Sequence, residues 1–309
     1  MENKSVTVLT PTFNRATTLP KCYESLLSQS SQDFHWIVVD DGSTDDTKEL
    51  VERWQRENRI PITYLYQENS GKCAALNLGI EHARGELTLV LDSDDILTEH
   101  AIAAVLDHWT EYAAPRLAGL MFLKGYISTG KPIGDVFPND HEEMSTIKMR
   151  HVYRLRGDKE EVFRTDLLKS HPNPVFEGEK YLPLEIVWNR IARRYPMIHI
   201  NEIIYLAEYL EGGLTSTVQQ NRLQMRLRNP EGFILCDNEK LSAPYPWRSR
   251  LTAVKHYIAL SLWKYSPWQT LCRCENKMLC LLCFPLGIFR HVRDRKKNRQ
   301  YQNQQTISK

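Results

Sequence analysis

The sequence predicts an α/β protein with a mostly parallel central sheet, helices on both faces of that sheet, and a helical appendage at the carboxyl end. In the first hundred residues, short β-branched apolar runs alternate with segments of helical periodicity, which is typical of parallel βαβ units. After Thr215 this alternation stops, and apolar residues recur only at helical spacing. A chain of 309 residues that is 42% hydrophobic has material for a sizeable core, which excludes a disordered or fibrous protein.

The first two strands are predicted at residues 6–9 and 36–39, where β-branched and aromatic residues cluster. The helix between them is predicted to begin after Thr18, because apolar residues follow it at helical positions. Ser43 and Asp46 have the spacing of a capping box, which predicts the start of a second helix.

A third strand is predicted at residues 62–66 and a fourth at residues 87–91. Between them, Ser70 is predicted to cap a helix that continues to about His82. The regular succession of strand and helix therefore places four parallel strands side by side in one sheet.

Polar, small or acidic residues follow each of these four strands, namely Thr10-Pro11, residues 40–42, residues 69–72 and residues 92–95. Ligands of open α/β sheets bind beyond the carboxyl ends of the strands, so these segments predict one site. For any single segment a plain turn is an equal alternative, since Asp, Gly, Ser and Asn favour turns. Residues 92–95 are different, because three carboxylates in four positions repel one another unless a cation lies among them.

The chemistry predicted for this edge is the binding of a nucleoside diphosphate with a divalent cation. Asp92 and Asp94 offer the hard oxygen ligands that suit Mg²⁺ or Mn²⁺, and such ions complete their shell with phosphate oxygens and water. Residues 69–72 add backbone donors and a lysine at a helix start, although a helix cap is favoured over direct ligand contact for Ser70. The sequence has no GxGxxG after the first strand and no GxxxxGK[ST], which argues against a dinucleotide fold and a P-loop.

Four segments resemble, in order and spacing, the signature segments of family 2 glycosyltransferases. They are Thr10-Pro11-Thr12-Phe13-Asn14-Arg15, Val39-Asp40-Asp41-Gly42-Ser43-Thr44-Asp45, Asn69-Ser70-Gly71-Lys72 with Asn77 and Gly79, and Leu91-Asp92-Ser93-Asp94-Asp95. The resemblance covers about residues 5–215. It implies a GT-A fold with a Rossmann-like sheet. It also implies transfer of a hexosyl or N-acetylhexosaminyl group from a nucleotide-sugar, most often a UDP-sugar, with inversion.

The resemblance also implies roles for individual side chains. The residues expected to line the nucleotide-sugar are Thr10, Pro11, Thr12, Asn14, Arg15, Asp40, Asp41, Asn69, Gly71, Lys72, Asn77, Asp92 and Ser93. Asp41, or its neighbour Asp40, is expected at the uracil edge, with Lys72 nearby. Asp92 is expected to approach the ribose and the sugar. Asp94, together with Asp92, is expected to bind Mn²⁺ or Mg²⁺.

Inverting transfer needs a base that takes the proton of the acceptor hydroxyl, and residues 176–190 occupy the place of the family's acidic motif. This chain lacks the Glu-Asp pair of that motif. Glu185, three residues before Trp188, is the first candidate and Glu179 is the second. The alternative for Glu185 is an acid favoured by the dipole in the first turn of a helix. Residues 209–216 resemble the family's segment that closes over the donor.

The domain organisation predicted is a glycosyltransferase domain at residues 1–215, with a nucleotide-sugar half at 1–97 and an acceptor half at 98–215. A helical appendage follows at residues 216–309. Its apolar run, residues 278–289, is interrupted by Pro285 and is too short to span a bilayer.

Residues 290–309 carry a net charge of +6, and the rest of the chain a net charge of −4. An apolar segment beside a basic one predicts peripheral attachment to an anionic membrane surface, at the inner face of the cell membrane. The alternative is a core helix with a solvated tail. The resemblance favours a polyprenyl-linked glycan acceptor and a role in surface polysaccharide (capsule) biosynthesis. Transfer to a soluble or protein acceptor and a catalytically silent sugar-nucleotide-binding scaffold are the alternative functions.

Cysteine content and charge complete the predictions. The seven cysteines are an odd number and the first ten residues lack the apolar stretch of a secretory signal, which predicts a cytoplasmic protein with reduced thiols. Cys272, Cys274, Cys280 and Cys283 have spacings that raise the question of a zinc site. Buried free thiols are the favoured explanation. The overall net charge of +2 gives no indication of nucleic-acid binding.

Overall fold

The computed structural model describes residues 5–207 and 222–307. The chain divides into two compact units, residues 1–173 with 187–208 and residues 174–186 with 209–309. Residues 174–186, assigned from the sequence to the acceptor half, thus group with the carboxyl-terminal unit. The predicted boundary between residues 215 and 216 lies outside the described residues, as do residues 209–216 as a whole.

The amino-terminal part alternates strands and helices as predicted. Its elements are β1 (Val6–Thr12), α1 (Leu19–Leu27), β2 (Phe34–Asp40), α2 (Thr47–Glu57), β3 (Ile62–Tyr66), α3 (Lys72–His82) and β4 (Leu87–Val90). The elements that follow are β5 (Ile96–Leu97), α4 (Ala101–Tyr112), β6 (Gly119–Tyr126), β7 (Glu142–Met144), α5 (Thr146–Lys148) with a π-helical continuation (Met149–Tyr153), β8 (Lys159–Arg164), α6 (Thr165–Ser170), α7 (Glu185–Ala192) and β9 (Met197–Ala207).

Within the described residues, nine strands form one sheet in the order β3-β2-β1-β4-β8-β6-β9-β5, with β7 beside β9. The first four strands of that order are parallel. Strand β8 is antiparallel to both of its neighbours, and β6 and β9 are parallel to each other. Thr12 pairs with Asp40 and Asp40 with Tyr66, so the carboxyl ends of β1, β2 and β3 meet at one edge. The predicted α/β fold class is confirmed.

Helices cover both faces of the parallel half because its strands alternate their buried side chains. On one face, Trp36 lies in a core with α1 and α2, where the rings of Tyr23 and Trp54 stack with centroids 4.2 Å apart. On the other face, helix α3 comes so close to β1 that a Cβ at Gly79 would lie 2.2 Å from Leu9 Cδ1. A larger residue at position 79 would push helix and sheet apart.

The capping box predicted from Ser43 and Asp46 is wrong. Helix α2 begins at Thr47, and Asp46 at its N-cap position makes no side-chain capping bond. The Ser43 hydroxyl instead accepts the backbone N–H of Asn14, with 2.8 Å between nitrogen and oxygen. Ser43 therefore connects the loop after β2 to the loop after β1 instead of capping helix α2.

The cap predicted from Ser70 is also wrong by one residue. Helix α3 begins at Lys72, and its N-cap is Gly71 with a φ of +93°. The Ser70 N–H donates to the Asp41 carboxylate at 2.8 Å, and the Ser70 hydroxyl donates to the carbonyl of Glu68. A contact with Asp41, directly after β2, thus replaces the local cap.

The second unit is helical, as predicted. Its helices are α8 (Arg222–Arg228), α9 (Pro230–Glu239), α10 (Trp247–Ser261), α11 (Pro267–Arg273) and α12 (Lys277–Ile307). They enclose a separate core that includes Phe233, Val254 and Ile258. In the described part of the chain, no helix is both long enough and apolar enough to cross a membrane.

All seven cysteines are free, and three of those questioned as zinc ligands, Cys274, Cys280 and Cys283, are buried in the core of the second unit. The fourth, Cys272, is exposed. Throughout the described residues, no group of three or more His, Cys, Asp or Glu side chains is arranged to hold a metal ion.

Candidate functional site

The loop after β1 is fastened to the loop after β2 by Asn14. This residue has a φ of +53°, a conformation that asparagine tolerates better than most residues. Its N–H donates to Ser43, and its side-chain oxygen accepts the N–H of Thr44 at 2.8 Å. The N–H of Arg15 donates to the Thr47 hydroxyl at 3.1 Å. Asn14 therefore sets the path of the loop and leaves the Arg15 side chain to extend along the edge.

Asp40 and Asp41 are buried, and both carboxylates are occupied by hydrogen bonds. Asp40 accepts the Ser43 N–H at 2.8 Å and the Tyr64 hydroxyl at 2.7 Å. Asp41 accepts three donors, which are Gln67 Nε2 at 2.7 Å, Ser70 N at 2.8 Å and Gly71 N at 2.9 Å. The structure thus gives Asp41 a role that the sequence did not suggest, because it holds the loop that leads into α3. The place of Asp40 or Asp41 at a uracil edge stays a prediction.

Gly42 allows this loop to approach the next one closely. Its φ is +83°, and a Cβ there would lie 2.8 Å from the backbone nitrogen of Asn69. A side chain would be strained by the backbone conformation and would also collide with a main chain. Gly42 therefore lets the main chain at residue 42 lie against the main chain at residue 69.

Two ion pairs bring together predicted residues from three different segments. Lys72 Nζ lies 2.5 Å from Asp92 Oδ1, and Arg15 lies 3.7 Å from Asp94 Oδ2. Burial alone would raise the pKa of Asp92, but the nearby ammonium groups of Lys72 and Lys124 lower it below its usual range. Two carboxylates and two basic side chains from three segments therefore lie close together at this sheet edge.

Tyr205, on β9, is a site residue that the sequence analysis missed. Its hydroxyl accepts the backbone N–H of Asp92 at 3.1 Å and donates to Asp95 Oδ2 at 2.7 Å. Burial raises the pKa of Asp95 to about 7, against the hydrogen bond from Tyr205, which lowers it. The tyrosine thereby holds both ends of the Asp92–Asp95 segment.

Tyr205 is also in contact with Lys124, which forms a buried ion pair with Glu160. Lys124 Nζ lies 3.6 Å from the centroid of the Tyr205 ring and 3.0 Å from Glu160 Oε2. Burial would lower the pKa of Lys124, but the carboxylates of Glu160 and Asp92 outweigh it and raise that pKa. The available signal in the sequence was the charge itself, since Lys124 is the lone charged residue in the apolar strand Gly119–Tyr126.

Other predicted site residues make structural contacts. Thr10 is fully buried, and its hydroxyl accepts the indole N–H of Trp36 at 2.9 Å. The Asn77 amide and Asn173 are joined by three hydrogen bonds of 2.8 to 3.1 Å. These contacts anchor the elements that carry the site. Three further predicted residues are buried at the same edge: Pro11, Thr12 and Ser93.

Both candidate bases have partners within the second unit. Glu179 accepts the backbone N–H groups of Glu231 at 2.7 Å and Gly232 at 2.9 Å, at the first turn of α9. Glu185 Oε1 lies 2.7 Å from Lys240 Nζ and accepts the Cys236 thiol at 3.2 Å. Glu179 acts as a helix cap, whereas the side chain of Glu185 is 50% exposed.

Comparison with protein families identifies the domain that contains this sheet edge. Residues 7–116 match the family model described as glycosyl transferase family 2. The chain carries a family 2 glycosyltransferase domain. The matched residues extend from β1 through α4, and thus include all four segments from which the resemblance was inferred.

Relatives in sequence support the same family over part of their length. The chain is 37% identical over 116 residues to the glycosyltransferase GlyG of Streptococcus pneumoniae, covering 37% of this chain and 38% of that protein. It is 28% identical over 166 residues to the poly(ribitol-phosphate) beta-N-acetylglucosaminyltransferase TarS of Staphylococcus aureus, covering 53% of this chain and 28% of TarS. The chain thus matches well under half the length of these relatives.

Solved structures extend the likeness of fold beyond the family 2 domain. Residues 1–349 of S. aureus TarS in complex with UDP-GlcNAc align with a TM-score of 0.60 at 17% identity, covering 96% of this chain and 91% of that one. A mannosyltransferase of Pyrobaculum calidifontis in complex with GDP-Man and Mn²⁺ aligns with a TM-score of 0.53 at 18% identity, covering 93% of this chain and 83% of that one. The GT-A fold is therefore confirmed for this chain.

Proposed function

We propose that the protein is a metal-dependent, inverting glycosyltransferase that moves a hexosyl or N-acetylhexosaminyl group from a UDP-sugar to a glycan acceptor. The observation that carries this proposal is the double ion pair at the sheet edge, Lys72 with Asp92 and Arg15 with Asp94. It places two carboxylates and two cations within one family 2 domain, which is the combination that a sugar diphosphate and a divalent cation require.

The carboxylates suit Mn²⁺ or Mg²⁺ in their chemistry. Asp92 and Asp94 are hard oxygen donors separated by one residue, and both side chains are more than one-third exposed. A divalent ion held by them would act as a Lewis acid on the leaving diphosphate. Lys72 and Arg15 are placed to bind phosphate oxygens, and Tyr205 keeps the Asp92 backbone in position.

A UDP-sugar is the donor class that the comparisons support best. TarS is a relative in sequence as well as in fold, and its structures contain UDP and UDP-GlcNAc. The mannosyltransferase complex with GDP-Man shows that the same fold accommodates another nucleotide. We therefore infer that the nucleotide of the donor is UDP. Binding of GDP instead of UDP is the alternative that the nucleotide-binding test below distinguishes.

Glu185 is the proposed catalytic base, and Glu179 the second candidate. A base needs a carboxylate that can accept a proton from the acceptor hydroxyl. The half-exposed side chain of Glu185 fits this requirement better than Glu179, which already accepts two backbone N–H groups. Glu185 Oε1 also lies 2.7 Å from Lys240 Nζ, and this ion pair fixes the position of the proposed base.

The proposed acceptor is a polyprenyl-linked glycan in surface polysaccharide (capsule) biosynthesis, at the inner face of the cell membrane. The exposed apolar side chains and the bases of α12 support a membrane location. Transfer to a soluble or protein acceptor and a silent sugar-nucleotide-binding scaffold are the competing functions. Both predict the same nucleotide binding, and the scaffold predicts no transfer.

The test is nucleotide-dependent thermal stabilisation of the full chain, with and without Mn²⁺. UDP with Mn²⁺ at 100 times its dissociation constant should stabilise the protein by about 2.7 kcal/mol, and Asp94→Asn should remove most of this gain. Asp107→Asn, at an exposed position of α4, is the matched control and should behave as wild type. Stabilisation by GDP and not by UDP would show that the donor is a GDP-sugar. No stabilisation by any nucleotide would refute the proposal.

A further inference from the structure

Helix α12 presents an apolar stripe that the second unit leaves uncovered. The large apolar side chains that are at least half exposed in this helix are Met278, Leu281, Leu282, Leu286, Phe289 and Val292. Apart from the adjacent pair Leu281 and Leu282, successive members are three or four residues apart, which places the six on one side of the helix over a length of about 20 Å. Single exposed apolar residues are ordinary, but a contiguous row of six marks an interaction surface.

The opposite side of α12 is the side that packs on the protein. Cys280 and Cys283 are buried there, and a Cβ at Gly287 would lie 2.4 Å from Ile258 Cγ2. Further along, His291 Nδ1 lies 2.9 Å from the carbonyl oxygen of Ala259. Helix α12 is therefore already docked through this side, so its exposed stripe is not needed for the core.

Basic residues continue the exposed side directly after the stripe. The exposed bases are Arg293, Arg295, Lys296, Lys297 and Arg299. The only acid of the helix, Asp294, is mostly buried and lies 3.5 Å from Arg290 and 3.9 Å from Arg293. The exposed side of α12 thus combines an apolar segment with a segment of five bases, for which the helix supplies one mostly buried acid.

We propose that this side of α12 is the membrane-docking surface of the protein, with the apolar stripe in the interfacial region and the five bases on anionic headgroups. The charge pattern of α12 favours an anionic lipid surface over a second copy of the helix as the partner of this side. A second copy of this helix would bring two positive segments together if it packed in parallel, whereas an anionic lipid surface complements both segments at once. The inference deepens the membrane location proposed above and is independent of the transfer reaction.

Vesicle sedimentation of the full chain tests the surface. We expect binding to phosphatidylcholine vesicles that contain a third of phosphatidylglycerol, and little binding to pure phosphatidylcholine. Lys296→Glu with Lys297→Glu should weaken binding at least about 25-fold, since each charge near the surface contributes about five-fold. Leu281→Glu with Leu282→Glu should weaken it by a factor of at least ten.

Matched controls lie on the first unit. Lys48→Glu with Arg53→Glu changes the same net charge at exposed positions of α2. Val136→Glu with Val152→Glu replaces two exposed apolar residues. Both double variants should bind vesicles as wild type does. The α12 variants should keep a thermal midpoint close to that of wild type because only exposed side chains are changed, whereas Lys48→Glu with Arg53→Glu also loses two exposed ion pairs and should unfold at a slightly lower temperature.

A fluorescent label shows which side enters the lipid. Cys272 is the one exposed thiol, so Leu282→Cys in a Cys272→Ser background accepts nitrobenzoxadiazole on the stripe, and the same label on wild-type Cys272 is the control. The emission of the label at position 282 should rise on anionic vesicles far more than that of the control. UDP affinity measured on the same preparations reports on the proposed reaction separately.

Three results would overturn the proposal. The first is a wild-type chain that stays in the supernatant with anionic vesicles. The second is a pair of α12 variants that bind as tightly as their controls. The third is a wild-type dimer in light scattering that the Leu281→Glu and Leu282→Glu changes convert to a monomer while vesicle binding is absent, which would assign the stripe to a second copy of the chain.

Discussion

The Tyr205 hydroxyl accepts the backbone N–H of Asp92 across 113 positions of sequence, with 3.1 Å between oxygen and nitrogen. The same hydroxyl donates to Asp95, so one buried phenol determines the path of the segment that carries both proposed metal ligands. Lys124 lies over the ring of Tyr205 and is itself paired with Glu160. Tyr205 is therefore a positioning residue for the proposed metal site.

Tyr205→Phe removes both hydrogen bonds and keeps the ring. We expect the free energy of unfolding to fall by about 1–3 kcal/mol, because the half-buried carboxyl group of Asp95 loses a donor and the N–H of Asp92 loses an acceptor. The affinity for UDP with Mn²⁺ should fall about ten-fold, whereas the affinity for Mn²⁺-free UDP should change less. Titration calorimetry measures both affinities. Tyr153→Phe, at an exposed position, is the control, and equal losses with and without Mn²⁺ would contradict a role at the metal ligands.

Gly42→Ala tests the close approach of the loops after β2 and β3. Alanine at a φ of +83° is strained, and its Cβ would also lie 2.8 Å from Asn69 N. Gly130→Ala is the matched control, since Gly130 has a φ of +65° and no atom within 4 Å of the added Cβ. We expect denaturant unfolding to show a loss of about 1 kcal/mol for Gly130→Ala and about 2 kcal/mol or more for Gly42→Ala. Equal losses would show that the contact with residue 69 contributes nothing.

The elements that depend on local pattern were predictable from the sequence. Strand β3 has the predicted limits of residues 62–66, because Pro61 and polar residues bound its apolar run. Helix α3 ends at His82 as predicted, and the convergence of the strand ends followed from parallel topology. The ion pairs of Lys72 and Arg15 lie among segments that the sequence had already brought together.

The contacts that depend on distant partners were not predictable. Ser43 has a capping-box pattern, but an N–H at residue 14 takes its hydroxyl. Lys124, Glu160 and Tyr205 meet only because antiparallel β8 lies between β4 and β6 and because β9 pairs with β6. Neither hydrophobic periodicity nor motif spacing predicts that strand order. The contacts of Lys124, Glu160 and Tyr205 near Asp92 could therefore not be predicted from the sequence.

His199 makes the stability of the first unit depend on pH. It is fully buried beside Phe137, with Glu142, Arg150 and Lys159 as the charged groups around it, and burial lowers its pKa to about 4. The unfolded chain takes up a proton near pH 6.5 whereas the folded protein does so only near pH 4. Stability is therefore present above pH 6.5 and is lost as the pH falls toward 4, by about 1.4 kcal/mol per unit at most.

His199→Leu should remove this contribution. The free energy of unfolding, measured by denaturant titration from pH 7 to pH 4.5, should fall by about 2 kcal/mol more in wild type than in the variant. His82→Leu replaces an exposed histidine and should leave the wild-type slope unchanged. If the free energy of unfolding depends on pH equally in wild type and in His199→Leu, the protonation of His199 does not differ between the folded and the unfolded protein.

Glu185→Gln and Glu179→Gln separate catalysis from capping. Glu179 accepts two backbone N–H groups at the start of α9, so its amide variant loses a charge-assisted cap, and the thermal midpoint should fall with a stability loss of about 1 kcal/mol. Glu185→Gln keeps the shape of the side chain but cannot take a proton. Its rate of sugar transfer should fall at least about 100-fold, with UDP affinity unchanged. The reverse pattern, in which Glu179→Gln abolishes transfer and Glu185→Gln does not, would assign the base to Glu179.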